Sequence, residues 1–373
     1  MKFTIEKEIL LQGLNKVSKA ISSKNLIPIL SGVKFNLTKE GLFLSASDND
    51  ISIETFISND KLEKVDKTGC TVIQGKYILE IIRKLDGKLI DIELLDGIKV
   101  LISCGNSEFN LNCMDYDEFP NLDMNEQKDP IILSKDDFKD MINKTSFAVS
   151  TQETRPILTG INFKINKKRL EAIATDSYRL AKKTIELDKE RKEDINTVIP
   201  GKNLIELTKI IEENDTKIEM HLFNNKVLFK FDNTLFQTRV LGGTFPDVER
   251  LVPTSFELEI KANQSEFYNV IDRASLLTSE RDKNIVKFEC KGNNLVISSN
   301  SPEIGKVEEK MTVEKSIDQD IKIAFSSRFM MDALRTIKSD KVILNFNGDV
   351  KPIIIFDQED KSVLQLILPI KTY

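Results

Sequence analysis

The chain repeats itself three times, and that constrains its fold more than any other feature. Residues 5–22 (IEKEILLQGLNKVSKAIS) are matched by residues 133–150 (LSKDDFKDMINKTSFAVS) and by residues 262–279 (ANQSEFYNVIDRASLLTS). The first offset, 128 residues, also carries Ile29-Leu30-Ser31-Gly32 onto Ile157-Leu158-Thr159-Gly160, and Ala46-Ser47-Asp48 onto Ala174-Thr175-Asp176. A second segment recurs at an offset of 126: TVIQGKYILEII (71–82), TVIPGKNLIELT (197–208) and, more loosely, IAFSSRFMMDAL (323–334). Phe119-Pro120 and Phe245-Pro246 keep that spacing. Several matches sharing one offset argue against chance likeness between amphipathic segments. A chain of 373 residues is too long for one ordinary core. Three domains of one fold are therefore expected, at residues 1–125, 129–253 and 254–373.

Each repeat has the same local grammar. A short alternating strand (Phe3, Ile5) precedes a helix whose apolar residues recur at helical spacing: Ile9, Leu10, Leu14, Val17 and Ile21. Ser134 and Asn263 stand where helix N-caps belong, ahead of first-turn acidic residues. GVKFNLTKEGLFLSAS alternates around a turn at Lys39-Glu40-Gly41, as a hairpin does. A second helix near Lys76–Leu85 and the strands of IDIELLDGIKVLIS complete the unit. The pattern is β-α-β-β-β twice over. The fold class is α+β, with two helices packed on one face of antiparallel sheets in each domain.

Composition narrows the function. There are 54 basic and 59 acidic residues, a formal charge of −5, so any nucleic-acid contact needs positive charge gathered on one face. A single histidine, His221, leaves little scope for imidazole catalysis and excludes a multi-histidine metal site. Cys70, Cys104, Cys113 and Cys290 lack C-x-x-C spacing and read as reduced small hydrophobes. Glutamates interrupt the N-terminal segment where a secretory signal needs an apolar core, and no apolar run approaches the roughly 20 residues that span a bilayer. A cytoplasmic protein with no membrane partner is expected.

The helices carry the positive charge. Lys16, Lys19, Lys76, Arg83, Lys84, Lys139, Lys144, Lys202, Lys209, Arg273, Arg281, Arg328, Arg335 and Lys338 recur on the six helical segments. Acidic neighbours (Glu80, Asp140, Glu206, Asp272, Asp332) are present as well, so each helix alone reads as a solvated face with i,i+4 pairs. Repetition changes the reading, because equivalent helices facing one way make a mildly positive wall. Lys and Arg hold phosphates without reading bases, which suits DNA that must slide.

Motifs for chemistry are missing. Gly75-Lys76 and Gly201-Lys202 lack the upstream glycine and following Ser/Thr of a phosphate loop. Asp48-Asn49-Asp50 reads as a turn before it reads as a metal site. No catalytic residue, cofactor or metal site is expected.

Six segments carry a family resemblance: MKFTIEKEILLQGLNKVSKAI, LIPILSGVKF, DEFPNL, ATDSYRLA, GGTFPDVERLVP and the terminal LILPIKTY. Through them the whole chain resembles the bacterial replicative sliding clamps, the beta subunits of DNA polymerase III. The resemblance implies a non-catalytic accessory subunit of a DNA-directed DNA polymerase. Two head-to-tail protomers would form a ring of pseudo-six-fold symmetry around double-stranded DNA, independent of sequence. Its partners would be the polymerase's alpha-type subunit, an ATP-dependent clamp loader, and repair polymerases and ligase-type proteins bearing clamp-binding peptides. The alternative from another class is a duplicated α+β enzyme with Asp176, Tyr178 and Arg179 at the junction of domains 2 and 3.

Site positions follow residue by residue. The partner-peptide cleft would be lined by Leu158, Thr175, Ser177, Tyr178, Arg179, Leu180, Pro246, Arg250 and Leu251, with Leu366, Leu368, Pro369, Ile370 and Lys371 from the tail. Tyr178 and Lys371 stand where relatives often carry histidine and arginine. The dimer contact would use Lys76, Phe109 and Leu111 of the first domain against Leu276, Leu277, Glu303, Glu308 and Glu309 of the third. The DNA-facing set would be Lys16, Lys19, Lys24, Lys84, Lys139, Lys144, Gln152, Arg155, Lys202, Lys209, Arg273, Arg335 and Lys338.

Overall fold

The computed structural model describes residues 1–21, 27–213, 216–279 and 284–371. Among these are six α-helices: α1 (Lys7–Val17), α2 (Gly75–Lys84), α3 (Lys135–Thr145), α4 (Gly201–Ile210), α5 (Gln264–Ser275) and α6 (Ser327–Leu334). The chain divides into two compact units, residues 1–135 with 203–240 and residues 136–202 with 241–373, so the middle repeat contributes to both.

The first unit is built on a 13-stranded antiparallel sheet. α1 lays Leu10, Leu14 and Val17 onto it, and α2 adds Ile78 and Ile82; all five are buried. Each such side chain contributes about 1.5–3 kcal/mol on burial. Gly13 lets α1 approach closely, since a Cβ there would stand 2.9 Å from Leu44 Cδ1. The hairpin turn falls where expected: Thr38 N–H donates to Gly41 O at 2.9 Å, and Gly41 has φ 150°.

The second unit holds a nine-stranded and a four-stranded antiparallel sheet. Its largest core gathers Phe267, Phe288, Phe325 and Phe346, with Phe288 lying 5.6 to 6.2 Å from the other three ring centroids. Asn263 caps α5 as expected, its side chain accepting from Glu266 N–H at 2.9 Å. Ser134 directly precedes α3.

The β-α-β-β-β grammar is present in all three repeats, with two additions. Leu62–Lys67 pairs with Lys2–Glu6 at the rim of the first sheet, and Glu314–Lys315 pairs with Leu258–Asn263. LEKVDK buries only Leu62, and its charges suit an edge that must not recruit another strand.

Successive repeats meet through the same strands. Ile51–Ser58 of the first pairs antiparallel with Thr234–Arg239 of the second, inside the first unit. The matching strands of the next joint, Arg179–Glu186 and Val363–Ile367, pair inside the second unit.

Candidate partner-docking site and basic helix faces

A tight turn organises the expected cleft. Asp176 Oδ1 accepts from Tyr178 N–H at 2.9 Å and Arg179 N–H at 3.0 Å, which forces Ser177 to φ 78°. Asp48 closes the equivalent turn of the first repeat, accepting from Asp50 N–H at 3.0 Å and Ile51 N–H at 2.8 Å, with Asn49 at φ 76°. The turn reading of Asp48-Asn49-Asp50 therefore holds. Thr175 Oγ1 donates to Arg179 O at 2.6 Å and Leu368 N–H donates to Tyr178 O at 2.9 Å, tying the C-terminal segment to the turn. Tyr178 is left 63% exposed.

Beside the turn lies an apolar cluster. Leu158, Leu180 and Leu366 pack with Ile173, Val198, Phe245, Val248 and Ile354, and Leu368 is half-buried at the margin. Pro246 and Leu251 are exposed next to Phe245 and Val248 in sequence. Pro369 and Ile370 are half-buried, with Ile370 N–H donating to Ala324 O at 2.7 Å; Lys371 is exposed. Sequence reasoning missed Ile173, Val198, Phe245, Val248 and Ile354 as members of the cluster. The signal for Ile173 and Ile354 was the strand LEAIAT and the apolar run IIIF, which mark core and say nothing of which core.

Arg179, expected in the lining of the cleft, is enclosed. It is 8% exposed, donates to Asp176 Oδ2 at 2.9 Å and to Asp332 Oδ2 at 2.7 Å, and stacks 4.4 Å from the Phe329 ring centroid. A guanidinium so enclosed braces strand Arg179–Glu186 against α6 beneath the cluster. Arg250 does stand in the open and meets Asp247 at 3.2 Å.

The first repeat reproduces one side of the cluster, where Leu30, Val72 and Phe119 pack together with Leu122, but not the leucines of the strand pair. Leu180 lies opposite Leu366, whereas the equivalent pair of the first joint is Ser52 opposite Gln237. Ser45 takes the place of Ile173, and both serines are buried, with Ser52 Oγ 2.8 Å from Ser47 Oγ. The strand pair of the second joint therefore carries leucines where that of the first carries serine and glutamine.

The expected DNA-facing residues fall into two groups. Lys19, Lys84, Gln152, Arg155, Lys202, Lys209, Arg335 and Lys338 are exposed, and Lys139 is half-buried. Lys209 pairs with Glu206 at 2.5 Å, and Arg335 with Asp332 at 3.2 Å. Lys24 lies outside the described residues. Lys16 and Lys144, expected on exposed faces, are instead 7% and 3% exposed. Lys16 reaches Glu212 at 3.5 Å; Lys144 reaches Asp360 at 2.6 Å and Asp140 at 3.5 Å. Lys183 joins the second network at 2.7 Å from Asp360, and Lys338 at 2.9 Å from Asp140. Burial pushes the Asp360 carboxyl up, but hydrogen bonds from Lys144, Lys183 and Ser362 outweigh it and hold the group far below the usual carboxylate range. Asp140 is depressed likewise, and Lys183 is raised by its two carboxylates against the opposing effect of burial. Arg273, the third equivalent position, is half-exposed and meets Glu309 at 2.6 Å.

Of the expected dimer positions, Phe109 is 39% and Leu276 75% exposed. Leu111 and Leu277 are half-buried, and Lys76, Glu303 and Glu308 are exposed. Among the described residues one cluster, Glu126, Glu219 and His221, has metal-ligating side chains in reach of one another. His221 Nδ1 accepts from Gln127 N–H at 2.9 Å, so the neutral ring carries its proton on Nε2, which then has no lone pair to offer a cation.

Family models for the N-terminal, central and C-terminal domains of the DNA polymerase III beta subunit match residues 1–123, 132–247 and 249–371. The beta sliding clamp of Bacillus subtilis is 41% identical over 378 residues, covering 100% of both chains. That of Staphylococcus aureus is 41% identical over 377 residues, again covering 100% of both. The crystal structure of the DNA polymerase sliding clamp from Bacillus subtilis aligns over 100% of both chains with a TM-score of 0.95 at 41% identity. The beta subunit from DNA polymerase of Streptococcus pyogenes aligns over 100% of both chains at a TM-score of 0.95 and 33% identity. The chain belongs to the DNA polymerase III beta subunit family. It acts as a sliding clamp, an accessory processivity subunit of the polymerase that is not itself catalytic, which sets aside the duplicated-enzyme alternative.

Proposed function

We propose that two copies of the chain join head to tail into a closed ring around duplex DNA, with domains at residues 1–125, 129–253 and 254–373. An ATP-driven loader opens the ring. The leucine cluster at the second joint receives short peptides from the polymerase's alpha-type subunit and, in competition, from repair polymerases and other partners.

The observation that carries the ring is the reuse of one strand pair at each joint. The corresponding strands at the two ends are left over: Gly305–Thr312 borders the four-stranded sheet, and Ser107–Met114 has a second neighbour only at Cys113 and Met114. An unpaired edge invites another strand, and a heterologous contact repeated twice closes. Thr55 opposite Thr234 and Lys183 opposite Val363 supply the register. By hairpin position their counterparts are Glu309 and Ser107. Continuing that register places Val307 opposite Phe109, and Gly305 opposite Leu111, of a second copy. Leu276 and Leu277, following α5, complete the apolar contact, while Lys76, Glu303 and Glu308 supply charge around it. Sedimentation should give a dimer in the wild type and a monomer in the F109D/L276D variant; an undiminished dimer would contradict this interface.

Toward DNA the ring presents the exposed Lys19, Lys84, Lys202, Lys209, Arg335 and Lys338 together with Lys139, Gln152 and Arg155. Lys16, Lys144 and Arg273 act in ion pairs at the joints. The leucine site takes apolar anchors, with Tyr178, Pro246, Leu251 and Leu368 at its open side and Arg250 and Lys371 flanking it.

A further inference from the structure

Two positions meet at each internal joint: one late in the first helix of a repeat, the other just beyond the second helix of the next repeat. The repeat equates Lys16, Lys144 and Arg273 at the first position, and Asp86, Glu212 and Lys338 at the second. In the first unit Lys16 Nζ lies 3.5 Å from Glu212 Oε1. In the second unit the later position is a lysine, and the charges are exchanged to fit. Lys338 Nζ takes Asp140, one turn back on α3, at 2.9 Å, while Lys144 turns to Asp360. Opposite charges therefore face each other at both joints although the residues differ.

The third joint has no partner within one chain. Its two halves are Arg273 of the third repeat and Asp86 of the first. Asp86 is exposed and has no ion-pair partner among the described residues. Arg273 has a guanidinium with five donors, of which Nη2 is held by Glu309 at 2.6 Å, and its side chain is 51% exposed. Glu309 occupies the closing strand, at the place that Lys183 fills in the second joint.

We infer that Arg273 forms an ion pair with Asp86 of a second copy of this chain, bridging Glu309 and that carboxylate when the ring closes. This rests on the head-to-tail dimer proposed above. It makes Arg273 a closure contact rather than a phosphate contact, and the pair occurs twice in each ring. Asp86→Arg should raise the dimer dissociation constant about tenfold or more, because a like charge then faces Arg273 at both joints. Arg273→Glu should weaken the dimer similarly, and the D86R/R273E double variant should recover most of the loss.

Analytical ultracentrifugation across a concentration series at low and high salt reads all four proteins. Asp86 makes no ion pair among the described residues, so circular dichroism of D86R should be unchanged. A dimeric wild type whose D86R variant dimerises equally well, or a double variant no better than the singles, would remove the ion pair and leave the ring standing. A wild type that is monomeric at every concentration would remove the ring and the pair together.

Discussion

Single side chains at the joints decide how firmly the repeats hold together. Asp360 serves Lys144 and Lys183 at once and sits far below its ordinary pKa, so its contribution to stability is complete above the usual carboxylate range and is lost as pH falls through the folded value. Lys183, raised by the same contacts, contributes in full below its ordinary pKa and loses that contribution only at strongly alkaline pH. Asp360→Asn should therefore cost about 1–3 kcal/mol at pH 7, with the gap from wild type closing as pH is lowered toward the depressed pKa. Urea unfolding at a series of pH values measures this, and a gap independent of pH would contradict the network. Ser177 makes a separate case: a side chain at φ 78° is strained, so Ser177→Gly should leave stability unchanged or raise it by up to about 1 kcal/mol, read as a small upward shift of the melting midpoint. The burial of Lys16 and Lys144 could not be read from local pattern. A lysine late in an amphipathic helix looks solvated until its acid, about 200 residues away in sequence, folds beside it.

At the scale of elements, the helices and hairpins were legible because their signals are local. Apolar spacing located α1 and α2, and KEG marked a turn whose glycine is required. A Cβ on Gly41 would meet Ile57 O at 2.2 Å, so Gly41→Ala should destabilise the first unit by about 2 kcal/mol or more, measurable by thermal unfolding. The edge strand Leu62–Lys67 escaped the reading, since one buried leucine among charges gives no period. The leucine cluster was half legible: Leu158, Leu180 and Leu366 followed from family likeness, whereas Ile173 and Ile354 look like any core strand. Because Tyr178 and Leu251 are exposed, truncating both to alanine should weaken binding of a polymerase-derived apolar peptide about tenfold at unchanged melting temperature. Equal loss of stability and binding would point to a packing role instead. Charge reversal of Lys139, Lys202 and Arg335 should lower processivity on primed DNA while leaving the dimer intact.

For the whole molecule, the threefold repeat was visible in the sequence as offsets of 128 and 126 residues, each shared by several segments, and it pointed to the fold class. The account holds that DNA is kept by confinement, with each basic contact weak and screened by salt. Confinement differs from adhesion in what releases it: breaking the DNA frees a ring, and raising the salt does not. The direct measurement is to load the protein with a clamp loader onto nicked circular DNA and follow its retention by gel filtration at high salt, before and after cutting the circle once. The account predicts stable retention on the circle and prompt loss from the linear product. Retention after the cut, or release by salt alone from the intact circle, would contradict it.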